Sequence, residues 1–109
     1  MPFNIVMYEN DLEIINFVSD IIENLPQVKF TYFTKVNTFD LVGTNLCIID
    51  YHLAGGKGFD ISKKCEQLNI PYIIWTGDSN IDKTLFSKAK AIVFKPDSIL
   101  SLIFRSVHE

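Results

Sequence analysis

The stretch that most constrains this chain is Leu46 to Asp60, LCIIDYHLAGGKGFD. Four apolar residues, Leu46, Cys47, Ile48 and Ile49, run straight into Asp50. An unbroken apolar run of that length predicts a strand buried on both faces, as in a parallel sheet. Asp50 then stands at its carboxyl end, where ligands bind in open α/β sheets. Gly55, Gly56 and Gly58 follow, a loop whose backbone can bend and come close to a charged group. A helix cap is the plainer role for an aspartate after a strand. Gly58 and its neighbours lie nearer the next helix start, which weighs against that role.

At 109 residues the chain has the length of one domain. Such a domain buries roughly 65% of the surface its unfolded chain exposes, enough for a real core. A hydrophobic content of 48% supplies one and excludes a disordered chain. Net charge is −3, and the longest basic run is the pair Lys63–Lys64. That leaves no footprint for direct nucleic-acid contact and no polybasic membrane signal. No apolar run reaches membrane-spanning length, and no signal sequence precedes Asn4. The expectation is a cytoplasmic protein whose native chain begins near Met1. Cys47 falls in the buried strand and Cys65 on an expected helix; with no CxxC, both read as packing residues.

Residues 4–8, NIVMY, predict the first strand, ending in Glu9–Asn10–Asp11. Apolar residues then recur at three and four from Leu12 to Leu25, predicting a helix capped by Asp11 and stopped by Pro26. Val28–Phe33 alternates and is aromatic, as an edge strand would be. Residues 34–42 suggest one weak helical turn around Phe39 and Leu41. A helix is expected from Gly58 to Asn69, a strand over Tyr72–Thr76, and a polar helix over Ser79–Lys88 anchored by Ile81, Leu85 and Phe86. Ala91–Phe94 gives the fifth strand. Asp97 or Ser98 caps a last helix running through His108. This β-α repetition predicts an α/β fold with right-handed crossovers and helices on both faces of a parallel sheet.

Four of the five strands end in polar or charged residues: Glu9–Asn10, Asp50, Thr76 and Lys95. A doubly wound sheet brings those ends to one crevice. The motifs IVMYEND, IIDYHLAGGKG, IIWTGD and FKP, in this order and spacing, give the chain its likeness. It resembles the receiver domain of two-component response regulators over essentially its whole length, 1–109. The resemblance implies a flavodoxin-like sheet in the order 2-1-3-4-5. It implies that Asp50 is the phosphoacceptor and that Glu9 and Asn10 fall on the acidic pair that helps hold Mg²⁺. It further implies that His52 offers a backbone carbonyl to the metal, that Thr76 contacts the phosphoryl group and that Lys95 pairs with its oxygens. An aspartate carboxylate can attack an in-line phosphoryl donor and form a mixed anhydride. A divalent cation and a lysine can stabilise the charge that develops.

The chain departs from the family pattern at several positions. Asn10 replaces the second acid, which implies weak Mg²⁺ binding. Ala54 stands for the usual proline, Lys57 for a frequent acidic or amide residue, and Lys88 for the usual glycine. Ile92 takes the place of an aromatic switch residue. The implied function is a signalling switch, not an enzyme beyond its own phosphorylation and dephosphorylation. Its phosphodonor is a histidine kinase or phosphotransfer protein. Leu100 and Phe104 lie off the expected core stripe Ile99, Leu102, Ile103 and Val107, which suggests a homodimer through the last helix. Two rivals stand beside this. One is a degenerate receiver acting as a phosphorylation-independent binding module. The other is a flavin- or nucleotide-using enzyme of similar fold, which lacks support because no phosphate-cradling glycine motif is present.

Overall fold

A computed structural model describes residues 2–36, 41–53 and 56–109. In chain order it contains β1 (Phe3–Tyr8), α1 (Leu12–Ile22), β2 (Val28–Phe33), β3 (Leu46–Ile49) and a small ribbon of β4 (His52–Leu53) with β5 (Gly56–Lys57). Then come α2 (Gly58–Gln67), β6 (Tyr72–Thr76), a 3-10 turn at Lys83–Phe86, β7 (Ala91–Phe94) and α3 (Leu100–His108). The main sheet is parallel, in the order β2-β1-β3-β6-β7. Counting its five strands along the chain, that is the expected order 2-1-3-4-5. Its central strands β3 and β6 are buried throughout, as their apolar runs require. β2 lies at an edge with Lys29 and Tyr32 exposed.

The sheet separates two apolar clusters. One gathers Ile15, Val18 and Ile22 of α1 with Ile99 and Ile103 around Ile48, Ile73 and Trp75. The other gathers Ile61 and Cys65 of α2 with Tyr8, Cys47, Ile49 and Phe86. Both cysteines are free and buried, in keeping with a packing role. Ile99 just before α3 and Ile103 within it are buried, and Leu102 and Val107 pack beside them, so the expected stripe faces the sheet. Phe104 is exposed and Leu100 half-buried. In α1, Leu12 and Phe17 are more than half exposed, so only part of that helix's apolar pattern serves the core.

Asp11 caps α1, its Oδ1 accepting from the Glu13 amide at 3.0 Å. The helix ends at Ile22, and a turn carries the chain through Leu25 to Pro26. The cap position of α3 falls on Ile99 and not on Asp97 or Ser98; the Ser98 hydroxyl, one residue earlier, still accepts from the Leu100 amide at 3.1 Å. The helix expected over Ser79–Lys88 is corrected to the 3-10 turn Lys83–Phe86. Asp78 Oδ1 accepts from the Asn80 amide at 2.9 Å, and Asp82 Oδ1 from the Thr84 amide at 3.0 Å. These local bonds offer the backbone an alternative to a helix. Ile81 and Phe86 are nevertheless buried as anchors, while Leu85 is exposed. Leu41 is fully buried, and Phe39 lies outside the described residues. Among the described residues, no helix is long and apolar enough to cross a membrane.

Gly58 opens α2 directly behind the end of β3. A Cβ there would overlap the Asp50 carbonyl oxygen and come within 2.6 Å of Ile49 Cγ2. The Gly58 amide also donates to the Tyr51 carbonyl at 2.6 Å. This close approach seats Asp50 against the helix start. Gly58→Ala is therefore expected to cost about 2–3 kcal/mol through forced backbone movement, read as a lower urea midpoint.

Candidate functional site

The carboxyl ends of β1, β3, β6 and β7 meet at one cleft of about 430 Å³. Glu9, Asn10, Asp50, His52, Thr76 and Lys95 all line it, so the fold brings together every residue that the sequence placed there. Glu9, Asp50 and Thr76 are buried and Asn10 is exposed. A slightly larger cavity, about 480 Å³, opens at the other end of β1 beside Asn4 and Thr31. Among the described residues it gathers a single charged side chain, Lys29, and so carries no comparable constellation.

Lys95 organises the cleft. Its Nζ donates to Glu9 Oε1 at 2.6 Å and to Asp50 Oδ2 at 3.2 Å. The ammonium also lies 5.6 Å from the centre of the Trp75 ring, close enough for cation–π attraction. The Lys95 amide donates to the Thr76 carbonyl, which ties β7's end to β6. Glu9 Oε2 accepts from the amides of Asn10 and Asp11 at 3.1 and 3.2 Å. Asp50 is held from both sides: its amide donates to the Tyr8 carbonyl, and its Oδ1 faces the His52 amide at 3.4 Å.

These contacts shift the site's acid–base balance. Burial raises the Glu9 carboxyl above its ordinary value; the Lys95 hydrogen bond offsets only part of this, and the Asp50 charge adds to it. For Lys95, burial favours the neutral amine, but the Glu9 hydrogen bond and the Asp50 charge outweigh it and raise the ammonium's pKa.

The Thr76 hydroxyl accepts from the Asp78 amide at 3.2 Å. Asp78 was not singled out from the sequence, yet it lines the same cleft. Its Oδ2 lies 2.6 Å from His52 Nε2. That hydrogen bond, with a second from the Asn80 amide, holds the Asp78 carboxyl below the usual range. Its position two residues past Thr76, at a strand's carboxyl end, was the available signal. Asp11 turns out to be occupied as a helix cap.

All the donors suggested for a metal are oxygens: the carboxylates of Glu9 and Asp50, the Asn10 amide and the His52 carbonyl. That set suits a hard cation that keeps much of its own water. The Lys95 ammonium already bridges the two carboxylates. Among the described residues, no cluster of three or more His, Cys, Asp or Glu side chains forms a ready cage.

No family model matches the sequence, and no curated protein matches it. Solved structures do. The signal receiver domain of a DNA-binding response regulator from Colwellia psychrerythraea 34H superposes with a TM-score of 0.80 at 24% identity, covering 98% of this chain and 99% of that one. The fold is that of response-regulator receiver domains. The receiver domain of a putative LuxO repressor protein from Vibrio parahaemolyticus gives a TM-score of 0.82 at 15% identity, covering 99% and 92%. A CheY-like receiver domain protein from Methanospirillum hungatei JF-1 gives 0.78 at 19%, covering 96% and 90%.

The raised pKa of Lys95 has a consequence at alkaline pH. A base bound more tightly in the folded state stabilises it fully below the unfolded pKa, near 10.5, and loses that contribution as pH rises through the higher folded value. Tyr72 adds to the same alkaline loss, since burial and the Glu66 hydrogen bond raise its phenol. Lys95→Met is expected to cost about 3 kcal/mol at neutral pH by leaving two carboxylates unbridged. It should also remove part of the decline in thermal midpoint expected of the wild type above pH 10.5. Equal declines in both proteins would show that Lys95 gains nothing from its partners.

Proposed function

We propose that this chain is a phosphoacceptor receiver domain of a two-component response regulator, modified on Asp50. The observation that carries the reading is the Lys95 ammonium lying 3.2 Å from Asp50 and 2.6 Å from Glu9 at the mouth of a parallel sheet. An Asp50 oxygen attacks the phosphorus of a phosphohistidine on a histidine kinase or phosphotransfer protein. The P–N bond breaks, and its electron pair returns to the donor imidazole. Lys95 stabilises the charge on the phosphoryl oxygens, and the Thr76 hydroxyl turns from the Asp78 amide to one of them. Mg²⁺, when bound, supplies further charge stabilisation. Glu9, Asp50, Asn10 and the His52 carbonyl would hold it.

The domain acts as a switch, not as an enzyme on other substrates. Phosphate contacts favour one of two conformations and move the population toward it. It works in the cytoplasm without direct contact to nucleic acid or membrane. Its output runs through a partner or through pairing of two copies by α3, where Phe104 is exposed. The second reading, a binding module that no longer depends on phosphorylation, draws on Asn10 and on Ile92.

Acetyl phosphate with Mg²⁺ should add one phosphoryl group to the wild type, read by intact mass and mapped to Asp50. Asp50→Asn should gain none; equal gain by both would remove Asp50 from the role, and no gain by the wild type would favour the binding module.

Asn10→Asp should tighten Mg²⁺ by about tenfold, or about 1–2 kcal/mol, because a charge replaces an amide beside the cation. Trp75 fluorescence gives the titration. An unchanged Mg²⁺ midpoint would take Asn10 away from the metal.

A further inference from the structure

Trp75 stands next to last in β6, only 6% exposed, packed among Ile48, Ile73, Ile99 and Ile103. Packing alone would be served there by an aliphatic side chain. The indole makes two further contacts that an aliphatic residue would not. Its Nε1–H donates to the Asp97 carbonyl at 2.8 Å, and the Lys95 ammonium lies over its ring, 5.6 Å from the centre. Both partners belong to the segment that leaves β7. The register explains the meeting: Trp75 lies opposite Val93, and Lys95, two residues further on, continues along the same side of the sheet. The backbone of that segment is fastened along its length. The Lys95 amide donates to the Thr76 carbonyl at 2.8 Å, the Asp97 amide to the Phe94 carbonyl at 3.0 Å, and Trp75 holds the Asp97 carbonyl. The lysine stem itself is long and rich in rotamers. Its ammonium is held by the Glu9 and Asp50 carboxylates, and the Asp50 contact is one that an arriving phosphoryl group disturbs.

We infer that Trp75 is the positioning residue for Lys95: its ring keeps the ammonium beside Asp50, and its indole N–H fixes the turn that carries the lysine. This rests on the reading of Asp50 as phosphoacceptor. A ring face attracts an ammonium most strongly where water is largely excluded, and the Lys95 side chain is 18% exposed. The attraction acts across the whole face, so it persists while the ammonium shifts from Asp50 Oδ2 to a phosphoryl oxygen. In transfer from acetyl phosphate, an Asp50 oxygen forms the new O–P bond. The donor's P–O bond breaks, and acetate leaves with the electron pair. Lys95 gives up no proton in that step; it supplies charge, and its worth depends on where the charge is held.

Trp75 is the single tryptophan of the chain, so incorporating mono-, di- or trifluorotryptophan alters this ring alone. Fluorine drains the negative ring face stepwise while the N–H donor is kept. The series is compared with Trp75→Phe, which keeps a ring and loses the donor, and with Trp75→Leu, which loses both. Three quantities are read: the rate of Asp50 phosphorylation by acetyl phosphate at saturating Mg²⁺, the mobility of the Lys95 ammonium by NMR relaxation with isotope-labelled lysine, and the urea midpoint. Phosphorylation should slow by about threefold across the fluorinated series and by about tenfold in Trp75→Leu, with Trp75→Phe between them. The ammonium should grow more mobile in the same order, while the urea midpoint of the fluorinated proteins stays at the wild-type value. A fluorinated series matching the wild type in rate and in ammonium mobility would overturn the assignment even if Trp75→Leu is slow, because packing would then be all that Trp75 provides. Slower phosphorylation with an unchanged ammonium would overturn it too, since Trp75 would then act on something other than Lys95. A wild type that gains no phosphoryl group would overturn the phosphoacceptor reading and the purpose assigned to Trp75 together.

Discussion

The bridge from Lys95 to Glu9 and Asp50 is the contact on which the rest of the site depends. Glu9 is almost completely buried and Asp50 nearly so, and a buried carboxylate is costly unless it is paired. Without a cation between them, two carboxylates in a poorly solvated cleft would repel. The ammonium satisfies both, while the amides of Asn10 and Asp11 take up the remaining Glu9 oxygen. The three residues come from the ends of β1, β3 and β7, which meet only because the sheet is parallel and ordered as it is. Fold and site are thus one electrostatic problem: the observed order of β1, β3, β6 and β7 brings the lysine to its acids.

Sequence reading reached the five main strands because a buried parallel strand has little choice but to be apolar along its length. It reached α1 and α3 because their core-facing residues recur at helical spacing. It reached Glu9, Asn10, Asp50, Thr76 and Lys95 because each ends, or closely follows the end of, a strand that had already been placed, and His52 only through the family resemblance. It failed over Ser79–Lys88, where Ile81, Leu85 and Phe86 imitate a helical stripe. There Asp78 and Asp82 bind nearby amides and break the backbone into turns. Local side-chain competition of that kind leaves the apolar spacing untouched, so periodicity cannot register it.

Partnerships across the sheet were less legible than positions within it. Glu9 was assigned to a cation, and its shortest contact is with Lys95, 86 residues away. His52 was noted for its backbone and Asp78 was given no role, yet their side chains meet at 26 residues' separation. Nothing in either segment fixes such a meeting; it follows from the angle at which two loops leave adjacent strands. The exposure of Phe17 has the same origin. Helical spacing says which residues share a face, and only the curvature of the sheet says how wide a face the core can cover.

Thr76 is a junction. Its carbonyl receives the Lys95 amide, its hydroxyl receives the Asp78 amide, and its side chain lies in the cleft. The hydroxyl that accepts from the Asp78 amide still has a proton to donate, but a change of its rotamer toward a new oxygen in the cleft would break the Asp78 bond. Occupancy at one end of this residue is therefore paid for at the other, and the exchange runs both ways by linkage. Any protein that grips the turn after β6 and holds Asp78 in place would weaken the hold on an anion beside Asp50. One that draws the turn outward would strengthen it by the same factor. On the proposed reading of the cleft, a single threonine would couple binding at the outer surface to an affinity inside it.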